Sequence, residues 1–385
     1  MSVPEIKGWC PGALRPMASG DGLVVRLRPP LGRLTQAQAK RIAELSVAHG
    51  NGTLDLSSRA ALQIRGVSEA SYPALLDGLS ALNLLDKSAE AEANRNVITQ
   101  PFWQEGDRTQ VIARALEAAL AAAPLPGLPA KFGFAVDTGP QPVLRETPTD
   151  IRIEATSTGT LQLCADGAEI CAEVEPAEAV QAAIDLAEWF LQARADLPGP
   201  APGRMARLLR RGVVLPPAFA GMQRNPAPAP ARQTPGPSTS GTLVALAFGQ
   251  MQAETLVELA SLSAVRMTPW RMILLEGATQ APDLRELITT QDDPLLRTMA
   301  CTGAPRCPQG HAPTRTLARS LAPLVPAGQT LHVSGCAKAC AHPRAADLTV
   351  LATPQGFDLI RNGTCADLPA LTNLSPDTLP KALTP

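Results

Sequence analysis

The 385-residue chain is 45% hydrophobic and 18% charged, with 34 basic against 35 acidic side chains and a formal net charge of -1. That balance gives a nucleic-acid partner no electrostatic support across the whole chain, and 3% aromatic residues with a single tyrosine leave little for base stacking. No apolar run nears the roughly 18 residues of a membrane span and MSVPEIKGWC lacks the order of a signal peptide, so the expectation is a soluble, cytoplasmic protein of two or more domains with neither a nucleic acid nor a membrane as partner.

From the N-terminus, Asp21 to Pro30 (DGLVVRLRPP) alternates apolar and basic residues, a helical stretch runs from Leu34 to His49, and Leu54 to Gly66 (LDLSSRAALQIRG) alternates again. On a period of two, Arg26 and Arg28 share the face opposite Leu23, Val25 and Leu27, while Arg59, Gln63 and Arg65 share the face opposite Leu62 and Ile64. Further on, Asp150 to Gly167 reads as strand, turn at Gly159, and strand. The stretch Leu215 to Gly241 carries seven prolines and no apolar periodicity, and reads as an extended, partly disordered linker.

After the linker the same order returns: a strand at Gly241 to Gly249, a helix around Ala253 to Leu262, alternation from Val265 to Gly277, and a strand-turn-strand unit from Asp347 to Gly363. Two different units recurring in one order imply an internal duplication and a pseudo-twofold pair of halves. Overlaid without gaps, Arg26 and Arg28 fall on Ala245 and Ala247, and Arg59 and Arg65 on Trp270 and Glu276. Each arginine alone reads as part of a solvated sheet face. Four on adjacent strands and absent from the copy read as an anion-binding surface.

Eight cysteines in a chain of this length point to metal or redox chemistry rather than a disulfide framework. Four form two pairs, Cys301-x5-Cys307 and, after 28 intervening residues, Cys336-x3-Cys340. Soft thiolates suit zinc or an iron-sulfur cluster. C-x5-C is wide for a zinc knuckle, and Gly303, Pro305, Pro308 and Gly335 suit loops around a larger object, which favours a 4Fe-4S cluster, with structural zinc and then buried structural thiols as the alternatives. Cys164 and Cys171 read as core or loop thiols and Cys365 as incidental.

The cysteine spacing together with the duplicated half domain resembles the siroheme sulfite and nitrite reductase superfamily over most of the chain. SSRAALQIRG, NRNVITQP (Asn94 to Pro101) and LPAKF (Leu128 to Phe132) resemble its segments that carry two arginines and two lysines around a small anion. Carried over by position these are Arg59, Arg95 and Lys131, with Gly133 in place of the second lysine, a departure that weakens sulfite as substrate. KGWCPGALRPMASGDGLVVRLRP is similar to the opening of the precorrin-3B synthase family within that superfamily.

The resemblance implies an α+β fold of duplicated ferredoxin-like half domains with two sulfite-reductase-type αβ domains in a pseudo-twofold arrangement. The expected divisions are a first half domain at 1–85, a first αβ domain at 86–214, the linker at 215–241, a second half domain at 242–290 and a cluster-bearing αβ domain at 291–385. It implies an oxygen-dependent monooxygenase that converts precorrin-3A to precorrin-3B, with dioxygen as co-substrate. A 4Fe-4S cluster, a mononuclear non-haem iron and a reduced nicotinamide acting directly or through an electron-donating reductase are implied with it. Arg26, Arg28, Arg59, Arg65, Arg95 and Asn96 are the expected substrate contacts, with Arg59, Arg95 and Lys131 catalytic. Of the four histidines (His49, His311, His332 and His342), His342 is the best-placed iron ligand, being two residues beyond Cys340. Trp9 and Cys10 belong to the N-terminal signature, with an ordered tail packed over the site as the plainer reading, and Asp21 either orients substrate or ends a strand. The alternatives are a siroheme-dependent reductase of sulfite or nitrite and an iron-sulfur electron carrier without catalysis.

Overall fold

The computed structural model describes residues 10–224 and 233–383. The first half domain runs β1 (Met17–Ser19), β2 (Gly22–Leu27), β3 (Arg33–Leu34), α1 (Gln36–His49), β4 (Thr53–Leu56), β5 (Leu62–Val67) and α2 (Tyr72–Ser80), and a short α3 (Ala89–Asn94) follows. Next come β6 (Val97–Thr99), α4 (Arg108–Ala122), β7 (Phe134–Asp137), β8 (Ile151–Ala155), β9 (Leu161–Ala165), β10 (Ile170–Val174), α5 (Ala179–Ala195), α6 (Met205–Leu209) and β11 (Met222–Gln223). The second half domain holds β12 (Gly236–Ser238), β13 (Gly241–Leu246), β14 (Gln250–Gln252), α7 (Ala253–Leu262), β15 (Val265–Met267), β16 (Met272–Glu276) and β17 (Leu287–Ile288). The chain closes with β18 (Thr298–Ala300), α8 (Thr314–Leu321), β19 (Leu331–Ser334), β20 (Ala346–Thr353), β21 (Gly356–Gly363), β22 (Leu371–Leu374) and α9 (Leu379–Leu383).

The two half-domain sheets exchange strands. Their orders are β1-β2-β5-β4-β14 and β12-β13-β16-β15-β3, so each half gives the strand before its helix to the edge of the other's sheet. A capping box between Thr35 and Gln38 starts α1, whose Ile42 and Leu45 meet Leu256 and Leu259 of α7 in one core shared with Val25, Ile64, Val244 and Leu275. The duplication extends to the backbone. Leu31 and Phe248 take left-handed φ of 55° and 60°, and Ala60 and Arg271 take 51° and 63°, at corresponding turns. Such conformations are costly for side-chain-bearing residues, so their recurrence marks turns that both halves require.

Each αβ domain repeats one topology. In the first, β6, β7 and β8 are parallel and β9 to β11 antiparallel; in the second, β18, β19 and β20 are parallel and β21 and β22 antiparallel. Apolar residues spaced along α4 (Ile112, Leu116, Leu120) and α5 (Leu186, Phe190) cover Phe134, Val136, Ile151 and Ile153. Ala318, Leu321 and Leu379 do the same over Leu331, Val333 and Val350.

Several expectations need correction. Leu54 to Gly66 is a hairpin rather than one strand: Ser57 to Ala61 forms the turn, and Arg59 sits in it. The turn was hidden because SSRA holds neither glycine nor proline and Ala60 alone adopts the left-handed form. A bulge between Leu23 and Val25 shifts the overlay by two, because Val25 faces Ile64 as Thr242 faces Leu275. Arg26 therefore corresponds to Leu243 and Arg28 to Ala245. The proline-rich stretch is ordered at both ends, where β11 pairs with β10 and β12 with β13, and only 225–232 lie outside the described residues. Cys164 and Cys171, opposite each other on β9 and β10, form a disulfide rather than free thiols.

Arg65 and Glu276, read as a lost charge, are partners in mirrored ion pairs. Asp55 accepts from Gln250 Nε2 at 3.2 Å and Arg315 Nη1 at 3.0 Å and lies 3.7 Å from Arg65 Nε. At the corresponding positions Glu276 holds Arg266 and Arg33. Asp55 thus ties both half domains to α8, behind the first cysteine pair. Removing it leaves the half-buried Arg315 without its carboxylate and Arg65 with Asp21 alone, so Asp55→Ala should lose about 2–3 kcal/mol in urea unfolding. An unchanged midpoint and slope would show that this joint is held by apolar packing alone.

Candidate functional site

The arginine surface resolves into two groups by partner. Arg65 is claimed by Asp21, with Nη2 to Oδ1 at 2.7 Å and Nε to Oδ2 at 3.2 Å, and Arg95 by Asp86, at 2.7 and 2.9 Å. Both are buried structural pairs, so neither is free for a ligand's carboxylates as expected, and Asp21 is an ion-pair partner rather than a substrate-orienting group. Asn96 is buried too, donating from Nδ2 to Phe132 O at 2.7 Å. Period-two alternation finds shared faces but not the acids, Asp21 and Asp86, that neutralise them from other segments.

Arg26, Arg28 and Arg59 remain together, and none lies within ion-pair distance of a carboxylate among the described residues. Gln63, with its amide turned to satisfy both contacts, accepts from Arg26 Nε at 2.9 Å and Nη2 at 2.6 Å. Arg28 Nη1 donates to the backbone oxygen of Glu92 at 3.2 Å, and Arg59 Nη1 is buried with no hydrogen-bond partner in the described residues. Burial, reinforced by Arg26 beside Arg28 and by Arg204 beside Arg59, lowers both guanidiniums to about 10, which leaves them charged at neutral pH. Three half-buried cations with unspent donors are chemically suited to a carboxylate or another oxyanion.

Gly133 does not leave the open space its missing side chain suggests. A Cβ there would come within 2.6 Å of Asn96 Nδ2 and 3.2 Å of Arg59 Nη1, so the absence of a side chain is what lets Arg59 reach this point. Lys131, two residues earlier, is exposed. Cys10 lies within electrostatic reach of Arg26, Arg28 and Arg59 and shares with Arg28 and Glu92 a cavity of about 260 Å³. Its segment is strapped down: Glu92 accepts from the amides of Ala13 and Leu14, Tyr72 Oη donates to Ala13 O at 2.7 Å, and Gly12 is packed directly on the Glu92 carboxylate. Glu92, in the alanine-rich run AEAEAN, gave no sequence signal for this role. Trp9 lies outside the described residues.

The cysteine pairs leave the same edge of two neighbouring parallel strands. Ala300 pairs with Val333, Cys301 follows β18 directly, and Cys336 follows β19 by two residues. The loops interlock: Gly335 N donates to Cys301 Sγ at 3.2 Å, and a Cβ on Gly335 would lie 3.4 Å from that sulfur. Ala339, between the second pair, takes a left-handed φ of 51° that returns Cys340 toward the others. Burial raises the Cys340 thiol, and Cys301, Cys336 and Cys307 all act on it. This donor set, soft, fourfold and gathered by two glycine-bearing loops, fits a 4Fe-4S cluster held by Cys301, Cys307, Cys336 and Cys340. Cys365 is not incidental: it is buried beside Ser334, within reach of three of those cysteines. The hairpin before β2 touches the first loop, where Gly20 N and Ser19 Oγ donate to Arg306 O at 2.9 and 3.0 Å.

A mononuclear iron is not accommodated in the same way. Among the described residues no three His, Cys, Asp or Glu side chains converge on a single ion. His342 Nε2 contacts Ala345 O at 3.3 Å, and its ring meets His332 edge-on at 5.7 Å with no carboxylate to complete a facial triad. His332 is fully buried, has no partner at either ring nitrogen among the described residues, and is driven down to about 4 by burial, His342 and Arg271. No helix of the described residues is long and apolar enough to cross a membrane.

Residues 15–82 match the nitrite/sulfite reductase ferredoxin-like half domain. The chain is 28% identical to a precorrin-3B synthase of Sinorhizobium sp over 94% of its own length and 84% of the relative's. A chloroplastic ferredoxin–nitrite reductase of Oryza sativa subsp. japonica is 35% identical over 80 residues, 20% of this chain and 13% of that protein. The structure of the NirA protein of Mycobacterium tuberculosis superposes with a TM-score of 0.64 at 18% identity, covering 93% of this chain and 79% of that one, and shows the shared fold.

Changing any of Cys301, Cys307, Cys336 or Cys340 to Ser should remove most of the iron and sulfide from anaerobically purified protein, while Cys10→Ser should not. A Cys336→Ser variant with full iron and sulfide would overturn the ligand set.

Proposed function

For a chain that belongs to the sulfite and nitrite reductase superfamily, we propose a precorrin-3B synthase activity: oxygen-dependent hydroxylation of precorrin-3A at C20 with closure of a γ-lactone, in cobalamin biosynthesis. The observation that carries the reading is the trio Arg26, Arg28 and Arg59, cations without carboxylate partners among the described residues and in part without hydrogen-bond acceptors. A reduced tetrapyrrole bearing eight carboxylates supplies several such partners at once, spread over a broad molecule; siroheme would supply them too, so the trio supports a tetrapyrrole ligand and the choice of branch rests on sequence similarity. Similarity to a precorrin-3B synthase along nearly the whole chain supports the synthase branch.

On this reading the arginines hold the substrate's acidic arms and fix the macrocycle over the sheet formed by β2 and β5, against the first cysteine loop. Arg59 reaches the substrate because Gly133 offers no side chain in its path. The Glu92-bound strap places Cys10 at the rim and restricts water access to the guanidiniums. Bound by its four thiolates, the cluster supplies one-electron transfer. One oxygen atom of dioxygen enters the product at C20, the other leaves as water, and two electrons come from a reduced nicotinamide directly or through a reductase.

Incubation with precorrin-3A, a reductant and labelled dioxygen should place one labelled atom in the tetrapyrrole. Reduction of sulfite or nitrite by siroheme-loaded protein, with no label entering the tetrapyrrole, would assign the chain to the reductase branch instead.

A further inference from the structure

Outside the trio of Arg26, Arg28 and Arg59, most arginines drawn wholly or partly into the fold have their charge answered by a carboxylate. Arg65, Arg95, Arg152, Arg204, Arg224 and Arg266 each lie within ion-pair distance of a carboxylate. Arg271 does not among the described residues: its one hydrogen bond runs from Nη2 to Ala341 O at 3.4 Å. Asp55, which attracts it, already serves Arg315, Gln250 and Arg65, and Arg315 repels it. The side chain leaves a left-handed turn at φ 63° and passes close to Gly249, where a Cβ would come within 3.2 Å of its Cγ. Burial lowers Arg271 only to about 10, so it keeps its charge at neutral pH, while His332 beside it is neutral. A half-buried cation with one long hydrogen bond and a shared carboxylate leaves charge to spare for an anion close by. Ala341, its hydrogen-bond partner, directly follows Cys340.

We propose that Arg271 is a positioning residue for the charge of the cysteine site, where its fixed guanidinium offsets part of the negative charge of the thiolate-bound cluster and raises its reduction potential. The inference rests on the reading of Cys301, Cys307, Cys336 and Cys340 as a 4Fe-4S site. Four thiolates leave such a cluster with net negative charge that grows when it takes up an electron, and a nearby cation in a low-dielectric setting favours the more negative state. The corresponding turn of the first half places Ala60 here, next to Arg59, so the second half carries its own cation toward the cluster as the first half does toward the ligand.

The test is a redox titration of the anaerobically purified full chain, followed by visible absorption and by EPR of the reduced form, with iron and sulfide measured in parallel. Arg271→Gln and Arg271→Met, two neutral variants, should keep full iron and sulfide. At a fixed potential each should show at least about a threefold lower ratio of reduced to oxidised cluster than the wild type, and Arg271→Lys should restore most of it. Neutral variants with full iron that titrate at the wild-type potential would overturn the proposal. So would an Arg271→Lys shift as large as that of Arg271→Gln, which would indicate packing rather than charge. A wild type without iron and sulfide would remove the cluster reading itself, and this proposal with it.

Discussion

The exchange of edge strands between the half domains is the constraint on which the rest depends. Because β3 completes the second sheet and β14 the first, neither half-domain sheet is complete without the other half. The exchange sets the faces on which arginines and cysteines emerge, and Asp55 lies where it meets the domain bearing the cysteines. Backbone pairing and one shared apolar core supply the rigidity; polar contacts then decide what the clefts can hold.

The sorting of buried charge is the second determinant. A guanidinium taken out of water needs an anion or a full set of acceptors. Where the chain supplies the acid, as with Asp21 and Asp86, the arginine is a fastening. Where it does not, at Arg26, Arg28, Arg59 and Arg271, charge is left without a carboxylate among the described residues, and it is there that the proposed ligand and cluster would act. Both sets look alike in sequence. They differ only in what tertiary structure brings alongside them.

That difference marks the boundary of what was legible beforehand. The duplication, the strand-turn-strand echoes and α7 were readable from alternation, because period and order survive without tertiary context. Each cysteine pair was readable because its spacing is local, whereas the approach of the two pairs depends on β18 and β19 being neighbours. The turn at Arg59, the bulge where β5 pairs with β2 and the register slip of the overlay were not, since a left-handed alanine and an extra residue on β5 leave no compositional mark. The same holds for the disulfide between Cys164 and Cys171, which depends on β9 and β10 being neighbours in register, and for the fit of Arg59 against Gly133, which depends on Asn96 arriving from another loop.

The central claim is that the arginines without carboxylate partners, not the paired ones, receive the ligand's carboxylates. Its most direct test is the dissociation constant of precorrin-3A for single alanine variants at constant salt. With about 1.5–3 kcal/mol for each charge-assisted contact, Arg26→Ala, Arg28→Ala and Arg59→Ala should each weaken binding about tenfold or more, while folded Arg65→Ala should stay near wild type. Unchanged affinity in the first three would contradict the account.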